Sequence, residues 1–283
     1  MNLSIGTINP EWVENGDGAA TACYDVERWL GGTPTEARDT VAEEVPVAMV
    51  YNGVSHAVML ATPADIEEFA LGFSLSEGII AHRRELLDFE IVAGNAGIEA
   101  RMRTTAEREV ALRGQRRALA GRTGCGLCGK ESLAQAVGPC RAVGDQLRVT
   151  SDTIELANAK LPARQTVFAC TGAAHAAAWC AIDGRVLLVR EDIGRHNALD
   201  KLIGALASGE FDPAAGFVLM TSRASYEIVQ KTAAIGIELV AALSAPTGMA
   251  IRMAETAGVT LIGFVRDGRC TVYSHPRRLR RIH

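Results

Sequence analysis

Beyond about residue 165, the chain alternates short apolar runs with longer amphipathic segments, and this alternation restricts the fold more than any other feature. Strands that alternate with helices at this spacing form layered α/β structures with a largely parallel sheet. Residues 167–170 read as a short buried run and 173–179 as a helix. Further strands are predicted at 184–190, 216–221, 238–243 and 259–265, helices at 197–207, 226–237 and 246–257, and a strand at 270–274 paired across Asp267-Gly268.

The first half of the chain predicts a smaller α+β unit. Two apolar runs, 45–51 and 54–60, flank Asn52-Gly53, which is a strong hairpin signal because type I′ turns need positive φ at both central positions. Thr62 as N-cap and Pro63 in the first turn predict a helix that ends near residue 78. A second hairpin is predicted at 89–104 and a helix at 107–120.

We therefore predict four regions. They are a weakly ordered lead-in (1–40), a small α+β domain (41–120), a mobile loop with a short helix (121–140) and an α/β domain (141–283).

The charge balance excludes several classes of partner. The 29 basic and 33 acidic residues give a net charge of −4, which does not suit a nucleic-acid coat or a polybasic membrane binder. The sequence shows no signal peptide and no membrane-spanning run. Seven cysteines, an odd number, indicate reduced thiols in the cytoplasm rather than a disulfide framework.

A glycine-rich pair of cysteines, Cys125 and Cys128, lies in the segment 124–129. A structural zinc site would need two further ligands at suitable spacing, and the sequence has no second close pair. A loop disulfide is disfavoured in the cytosol, and a thioredoxin-like pair normally follows a strand directly. A sulfur carrier remains: Cys125 would hold sulfur as a persulfide, and Cys128 would assist, with Arg122 favouring the thiolate. No metal is expected.

Three loops at predicted strand ends could form a ligand site, because ligands bind beyond the carboxyl ends of strands in such sheets. The first holds Asp192, Arg195 and His196. An ordinary polar loop with a capped helix is the commoner explanation of such a loop, but the density of ionisable groups favours a site. The second holds Ser222 and Arg223, which suit phosphate, although simple helix capping is the common alternative. The third consists of Phe264, Val265, Arg266, Asp267, Gly268 and Arg269.

In this third loop, Phe264 could stack on a base and the arginines could meet phosphates. A hairpin turn with exposed arginines is the alternative. His175 is a further candidate near a strand end, although a helix-start histidine with its hydrogen bonds satisfied is as good an explanation.

Taken together, these motifs resemble one family, FdhD, the formate dehydrogenase accessory sulfurtransferase, over about residues 40–276. The resemblance rests on the order in which eight short motifs follow one another along the chain. They are residues 44–46, Asn52-Gly53, Thr62-Pro63, Glu77-Gly78, the loop around Cys125, residues 191–197, residues 222–227 and Gly263-Phe264.

The resemblance implies that a cysteine desulfurase passes sulfur to the loop cysteine. It implies that the protein binds the molybdenum bis(guanine dinucleotide) cofactor, with GDP as its surrogate, and sulfurates it before insertion into formate dehydrogenase. It also implies a homodimer and a C-terminal domain with a three-layer cytidine-deaminase-like fold.

Zinc deamination, suggested by that fold, is excluded because the His-x-Glu and Pro-Cys-x-x-Cys ligands are absent. A cofactor-delivery chaperone and a thiol–disulfide oxidoreductase stay open as alternatives. Two departures from the commonest family pattern, at Ala173 and at Ser222-Arg223, weaken the transfer of roles to those loops.

Overall fold

A computed structural model describes residues 20–117, 141–209, 212 and 214–280, with the side chains of 113–117 left out. The strands in this part are β1 (Thr21–Leu30), β2 (Thr33–Ala42), β3 (Val45–Tyr51), β4 (Val54–Ala61), β5 (Leu86–Gly94), β6 (Gly97–Thr104), β7 (Val149–Thr150), β8 (His175–Ala181), β9 (Val186–Asp192), β10 (Gly216–Met220), β11 (Leu239–Ala242), β12 (Thr260–Arg266), β13 (Arg269–Val272) and β14 (Leu279–Arg280). The helices are α1 (Ile66–Ser76), α2 (Ala106–Arg117), α3 (Ser151–Lys160), α4 (Thr166–Thr171), α5 (Arg195–Ser208), α6 (Tyr226–Ala234) and α7 (Gly248–Ala257).

The C-terminal half is built on a six-stranded sheet with the order β13-β12-β11-β10-β8-β9. The α/β prediction is confirmed, but the prediction of a largely parallel sheet is wrong, because only the pairs β10–β11 and β11–β12 are parallel. Short turns join β8 to β9 and β12 to β13, and such turns can connect only antiparallel neighbours.

Both faces of this sheet are covered. On one face, α5, α6 and α7 bury Leu199, Ile228 and Ala254 against Trp179 and Val218. On the other face, α3 packs against the strand side chains that point away from α5, α6 and α7, and together they form a second apolar cluster. Alternate residues of a strand point to opposite faces, so these strands are apolar on both sides. The result is a three-layer arrangement, and its likeness to cytidine deaminases stays an expectation.

Two segments of this half differ from their predictions. Residues 173–179, predicted as a helix, contain most of strand β8, whose residues 176–180 are all buried. Alanine favours helices, but small side chains also suit the middle of a sheet that is covered on both faces, and tertiary packing decides the outcome. Residues 167–170, predicted as a buried run, belong to the short helix α4, in which Phe168 is exposed.

The N-terminal half forms a four-stranded sheet, in the order β4-β3-β6-β5, that packs on α1. Both predicted hairpins and the predicted helix are present. Thr62 is not the N-cap of α1, because Asp65 occupies that position. The backbone N–H of Thr62 donates to Asp192 instead, and its hydroxyl accepts from the N–H of Ile193.

Residues 21–42 form a regular hairpin rather than the weakly ordered lead-in predicted for residues 1–40. The turn residues Gly31 and Gly32 both have positive φ, which suits a two-residue hairpin turn. Residues 1–19 of that prediction lie outside the described residues. No helix in the described ranges is long and apolar enough to cross a membrane.

The two halves meet where α1 crosses α5. Gly72 of α1 faces the carbonyl of Asp200, and Gly204 of α5 faces the carbonyl of Glu68. A Cβ at either glycine would overlap the facing oxygen. The helices therefore pack backbone to backbone, and only glycine permits this approach.

We expect Gly72→Ala to lower the free energy of unfolding by about 3 kcal/mol, because overpacking at a backbone contact forces the helices apart. Urea denaturation measures this value. Gly248→Ala is the matched control, since its added Cβ meets nothing closer than a flexible arginine tip at 3.6 Å. Equal stability of the Gly72→Ala variant and the wild type would contradict the proposed close contact.

Candidate functional site

The predicted strand-end loops do meet along one edge of the six-stranded sheet. His175 at the start of β8 pairs with Asp192 at the end of β9. The next strand, β10, ends at this level too, because the N–H of Ala176 donates to the Thr221 hydroxyl over 2.9 Å. Strands β11 and β12 run parallel to β10, so their carboxyl ends lie at the same edge.

Three helices begin at this edge. Helix α5 follows β9 with Gly194 as N-cap, α6 follows β10 with Ser225 as N-cap, and α7 follows β11 with Thr247 as N-cap. The side chain of Thr247 caps its own helix, whereas Gly194 and Ser225 provide no side-chain cap. Free N–H groups and the positive end of the helix dipole both favour an anion near α5 and α6.

A cluster of basic side chains lies at the start of α5 and at the end of β10. The Nε atom of Arg195 is buried and has no hydrogen-bond partner among the described residues. Burial, followed by the positive charges of Arg195, Arg223 and His196, lowers the pKa of half-buried His175 from its ordinary value of 6.5. Like charges held this close together are typical of a site that an anionic ligand completes.

His196 is held by two side chains at the start of α6. Its Nε2 lies 2.9 Å from a carboxylate oxygen of Glu227 and 3.2 Å from the Ser225 hydroxyl. The hydrogen bond from His196 lowers the pKa of Glu227, so the carboxylate stays ionised. Glu227 orients the imidazole, and its carboxylate also interacts electrostatically with Arg195. Neither Arg195 nor Arg223 forms an ion pair within 4 Å with a described residue.

Asp192, predicted to contact the cofactor, is fully buried, and both of its oxygens have partners. Oδ2 accepts from Thr62 and lies 2.8 Å from the ammonium of Lys201, which is also fully buried. Oδ1 accepts from the N–H of Gly194 and from the Asn197 side chain. This geometry favours a structural role in which Asp192 shapes the loop that carries Arg195.

The loop from Phe264 to Arg269 lies at the β12–β13 end of the same edge. Phe264 has φ of +53°, which is rare for a bulky residue, and it interrupts the register of β12 with β13. The guanidinium carbon of Arg266 lies 5.6 Å from the Phe264 ring centre. The predicted turn at Asp267-Gly268 is present, with positive φ at both residues.

Not every residue predicted for these loops faces solvent. Val265 is buried in the core, and its carbonyl accepts from Asn158. Ser222 is buried, and its hydroxyl donates to the carbonyl of Arg223. Arg223, Arg266 and Arg269 are exposed.

The structure thus divides the predicted cofactor site into two clusters. His175, Arg195, His196 and Arg223 lie near β8, β9 and β10, whereas the Phe264 loop lies on β12. Two strand spacings separate β12 from β10 and four separate it from β9, which corresponds to about 10 Å and about 19 Å. Cys125 and Cys128 lie outside the described residues, as does the rest of the predicted mobile loop and short helix (121–140).

The sequence did not indicate the groups that position the site. Thr62 and Lys201 hold Asp192, and Glu227 holds His196. Thr62 is 130 residues from Asp192 in the sequence, so no local pattern connects them. The only available signal was the concentration of ionisable residues in each loop.

Comparison with known proteins identifies the family. The model of the FdhD/NarQ family matches residues 42–280. The chain belongs to the FdhD/NarQ family. It is 53% identical over 272 residues to the sulfur carrier protein FdhD of Cupriavidus necator, covering 96% of this chain and 94% of that protein. The protein of the same name from Xanthomonas euvesicatoria pv. vesicatoria is 52% identical over 254 residues, covering 90% of each chain.

A solved structure shares the fold. The formate dehydrogenase accessory protein from Desulfotalea psychrophila superposes with a TM-score of 0.70, covering 92% of this chain and 99% of that chain. Only 22% of the residues are identical, so this likeness concerns the fold alone.

We expect histidine NMR titration to give His175 a pKa below 6.5 and to show that it rises in Arg223→Ala, because one neighbouring positive charge is removed. A lowered folded-state pKa means that the folded protein binds this proton more weakly than the unfolded chain. His175 therefore lowers the free energy of unfolding as the pH falls below about 6.5, where the unfolded chain takes up the proton first. Arg185→Ala, in the exposed turn between β8 and β9, is the control. A His175 pKa that is unchanged in Arg223→Ala would contradict the described cluster.

Proposed function

We propose that this chain is a sulfur carrier that serves formate dehydrogenase and acts as a sulfurtransferase in the cytoplasm. The observation that carries the proposal is its 53% identity, over 96% of the chain, to a protein named sulfur carrier protein FdhD. The cysteine pair Cys125 and Cys128 supplies the chemistry. A cysteine desulfurase would be the sulfur donor, and the molybdenum bis(guanine dinucleotide) cofactor would be the acceptor before its insertion into formate dehydrogenase.

The loading step is a thiol exchange. The Cys125 thiolate attacks the outer sulfur of the donor's cysteine persulfide, a new S–S bond forms, and the donor cysteine leaves as a thiolate. The step needs no external oxidant, because the sulfane sulfur keeps its oxidation state. Cys128 would assist by keeping the persulfide in place or by resolving it.

The edge of the six-stranded sheet supports cofactor binding by this chain. A cofactor with two guanine nucleotides is elongated and carries several phosphates, and two to four strand spacings, about 10 to 19 Å, separate the two basic clusters along the edge. Phe264 could stack on one guanine while Arg266 and Arg269 meet its phosphates. Arg195 and Arg223, beside the starts of α5 and α6, would hold phosphates at the other end.

Intact-mass measurement tests the carrier. We expect the wild type, incubated with a cysteine desulfurase and cysteine, to gain the mass of one sulfur atom that a reducing agent removes. Cys125→Ala should gain none, because it lacks the attacking thiolate. Cys170→Ala is the control, since Cys170 is an exposed thiol elsewhere on the chain.

Equal gain of sulfur by Cys125→Ala would refute the assignment of the carrier. Formate dehydrogenase activity in cells whose only copy is Cys125→Ala would favour a delivery chaperone. Reduction of a disulfide substrate that requires both Cys125 and Cys128 would favour an oxidoreductase.

Calorimetry with GDP tests the nucleotide site. We expect Arg266→Ala to bind GDP about tenfold more weakly, because a charge-assisted hydrogen bond to phosphate is lost. Arg185→Ala is the matched control, since Arg185 is an exposed arginine in the turn between β8 and β9. Unchanged affinity in Arg266→Ala would place the nucleotide elsewhere.

A further inference from the structure

The end of strand β4 connects the N-terminal half to the loop that carries Arg195. Thr62, the residue after β4, is fully buried. Its N–H donates to Oδ2 of Asp192 over 3.0 Å, its hydroxyl accepts from the N–H of Ile193 over 3.2 Å, and its carbonyl accepts from the Lys201 ammonium over 2.9 Å. Lys201 is also fully buried and ion-paired with Asp192, so a shift of Thr62 would leave several buried groups without partners.

The backbone on both sides of Arg195 is tied to this segment. Oδ1 of Asp192 accepts from the N–H of Gly194, which precedes Arg195 and is the N-cap of α5. Asn197, two residues after Arg195, donates through its side-chain amide to the same oxygen and to the carbonyl of Leu60. The end of β4 therefore holds the first turn of α5, although it belongs to the other half of the chain.

The position of this turn determines the spacing of the basic side chains. Asp192 is the cross-strand partner of His175, and the charge of Arg195 acts directly on that histidine. Electrostatic interaction changes with the distance between charges, so a displaced Arg195 would alter the field that an anion meets here. The buried Nε of Arg195 has no hydrogen-bond partner among the described residues, and it can serve a ligand only where the loop places it.

We propose that Thr62 is a positioning residue of this basic cluster, and that binding of a phosphate-bearing anion there is coupled to the contact between the two halves. The inference rests on the anion site of the proposed function. Thr62 acts through Asp192 and Ile193 rather than by touching the ligand. Coupling between two sites is reciprocal, so if Thr62 favours the bound anion, the bound anion strengthens the contacts of Thr62 by the same free energy.

Titration of the full-length chain with pyrophosphate, followed by the NMR signals of His175 and His196, tests the positioning role. We expect Thr62→Val, which keeps the shape but removes the acceptor of the Ile193 N–H, to bind pyrophosphate about fivefold more weakly. Thr62→Ser keeps the hydroxyl and should bind like the wild type. Thr232→Val is the matched control, because Thr232 is equally buried but its hydroxyl donates to carbonyls within its own helix, α6.

Thermal unfolding checks that every variant is folded. Unchanged affinity in Thr62→Val, or equal weakening by Thr62→Val and Thr232→Val, would overturn the positioning role.

Hydrogen exchange in the wild type tests the coupling. We expect saturating pyrophosphate to slow exchange of the Thr62 and Ile193 amides by about fivefold, because the bound anion strengthens their hydrogen bonds. The amide of Val143, which donates to the carbonyl of Ala257 at the other end of α7, is the control and should not change. Pyrophosphate that binds without slowing exchange of these two amides would overturn the coupling while leaving the proposed function intact. A wild type that binds no pyrophosphate would overturn the anion site and the coupling together.

Discussion

The close crossing of α1 and α5 is the contact on which the rest of the structure depends. Gly72 and Gly204 let the two backbones touch where the helices that join the two sheets cross. The buried charges of Lys231 and Asp200 lie beside this crossing, next to the more exposed Glu77. Lys231 of α6 lies 2.9 Å from Asp200 of α5 and 2.7 Å from Glu77 at the end of α1. Burial acts to lower the pKa of Lys231, but the two carboxylates outweigh this effect and raise it.

These buried ions favour one packing of the two halves, because other arrangements would separate the charges from their partners and have a higher free energy. A buried charge that loses its partner costs about 3–5 kcal/mol, so a shifted helix would be penalised at several points. The same network reaches the candidate site. Lys201 of α5 contacts both Asp192 and the carbonyl of Thr62, and Asp192 holds the N–H of Gly194. The position of Arg195 therefore depends on the packing of the N-terminal half.

Local signals predicted those parts of the fold that local chemistry determines. Asn52-Gly53 and Asp267-Gly268 form the expected turns, because their conformations depend on the turn residues themselves. Strand β8 was predicted as a helix, since its sequence contains no sign of the layers that cover it. The directions of β8 and β9 and the roles of Thr62 and Lys201 depend on residues far apart in the chain. For the site, the ionisable residues were enough to predict which loops belong to it. They did not indicate which side chains of those loops face solvent.

Three departures from ordinary protein chemistry lie at one edge of the sheet. Phe264 has a left-handed backbone, the buried Nε of Arg195 lacks a described partner, and His175 lies among positive charges. Each of these features costs stability, and the buried network around α1 and α5 offsets that cost elsewhere in the fold. A chain with a net charge of −4 gains no solubility from gathering arginines there. An anionic ligand of the kind proposed above would satisfy the free donors at this edge and balance its charges.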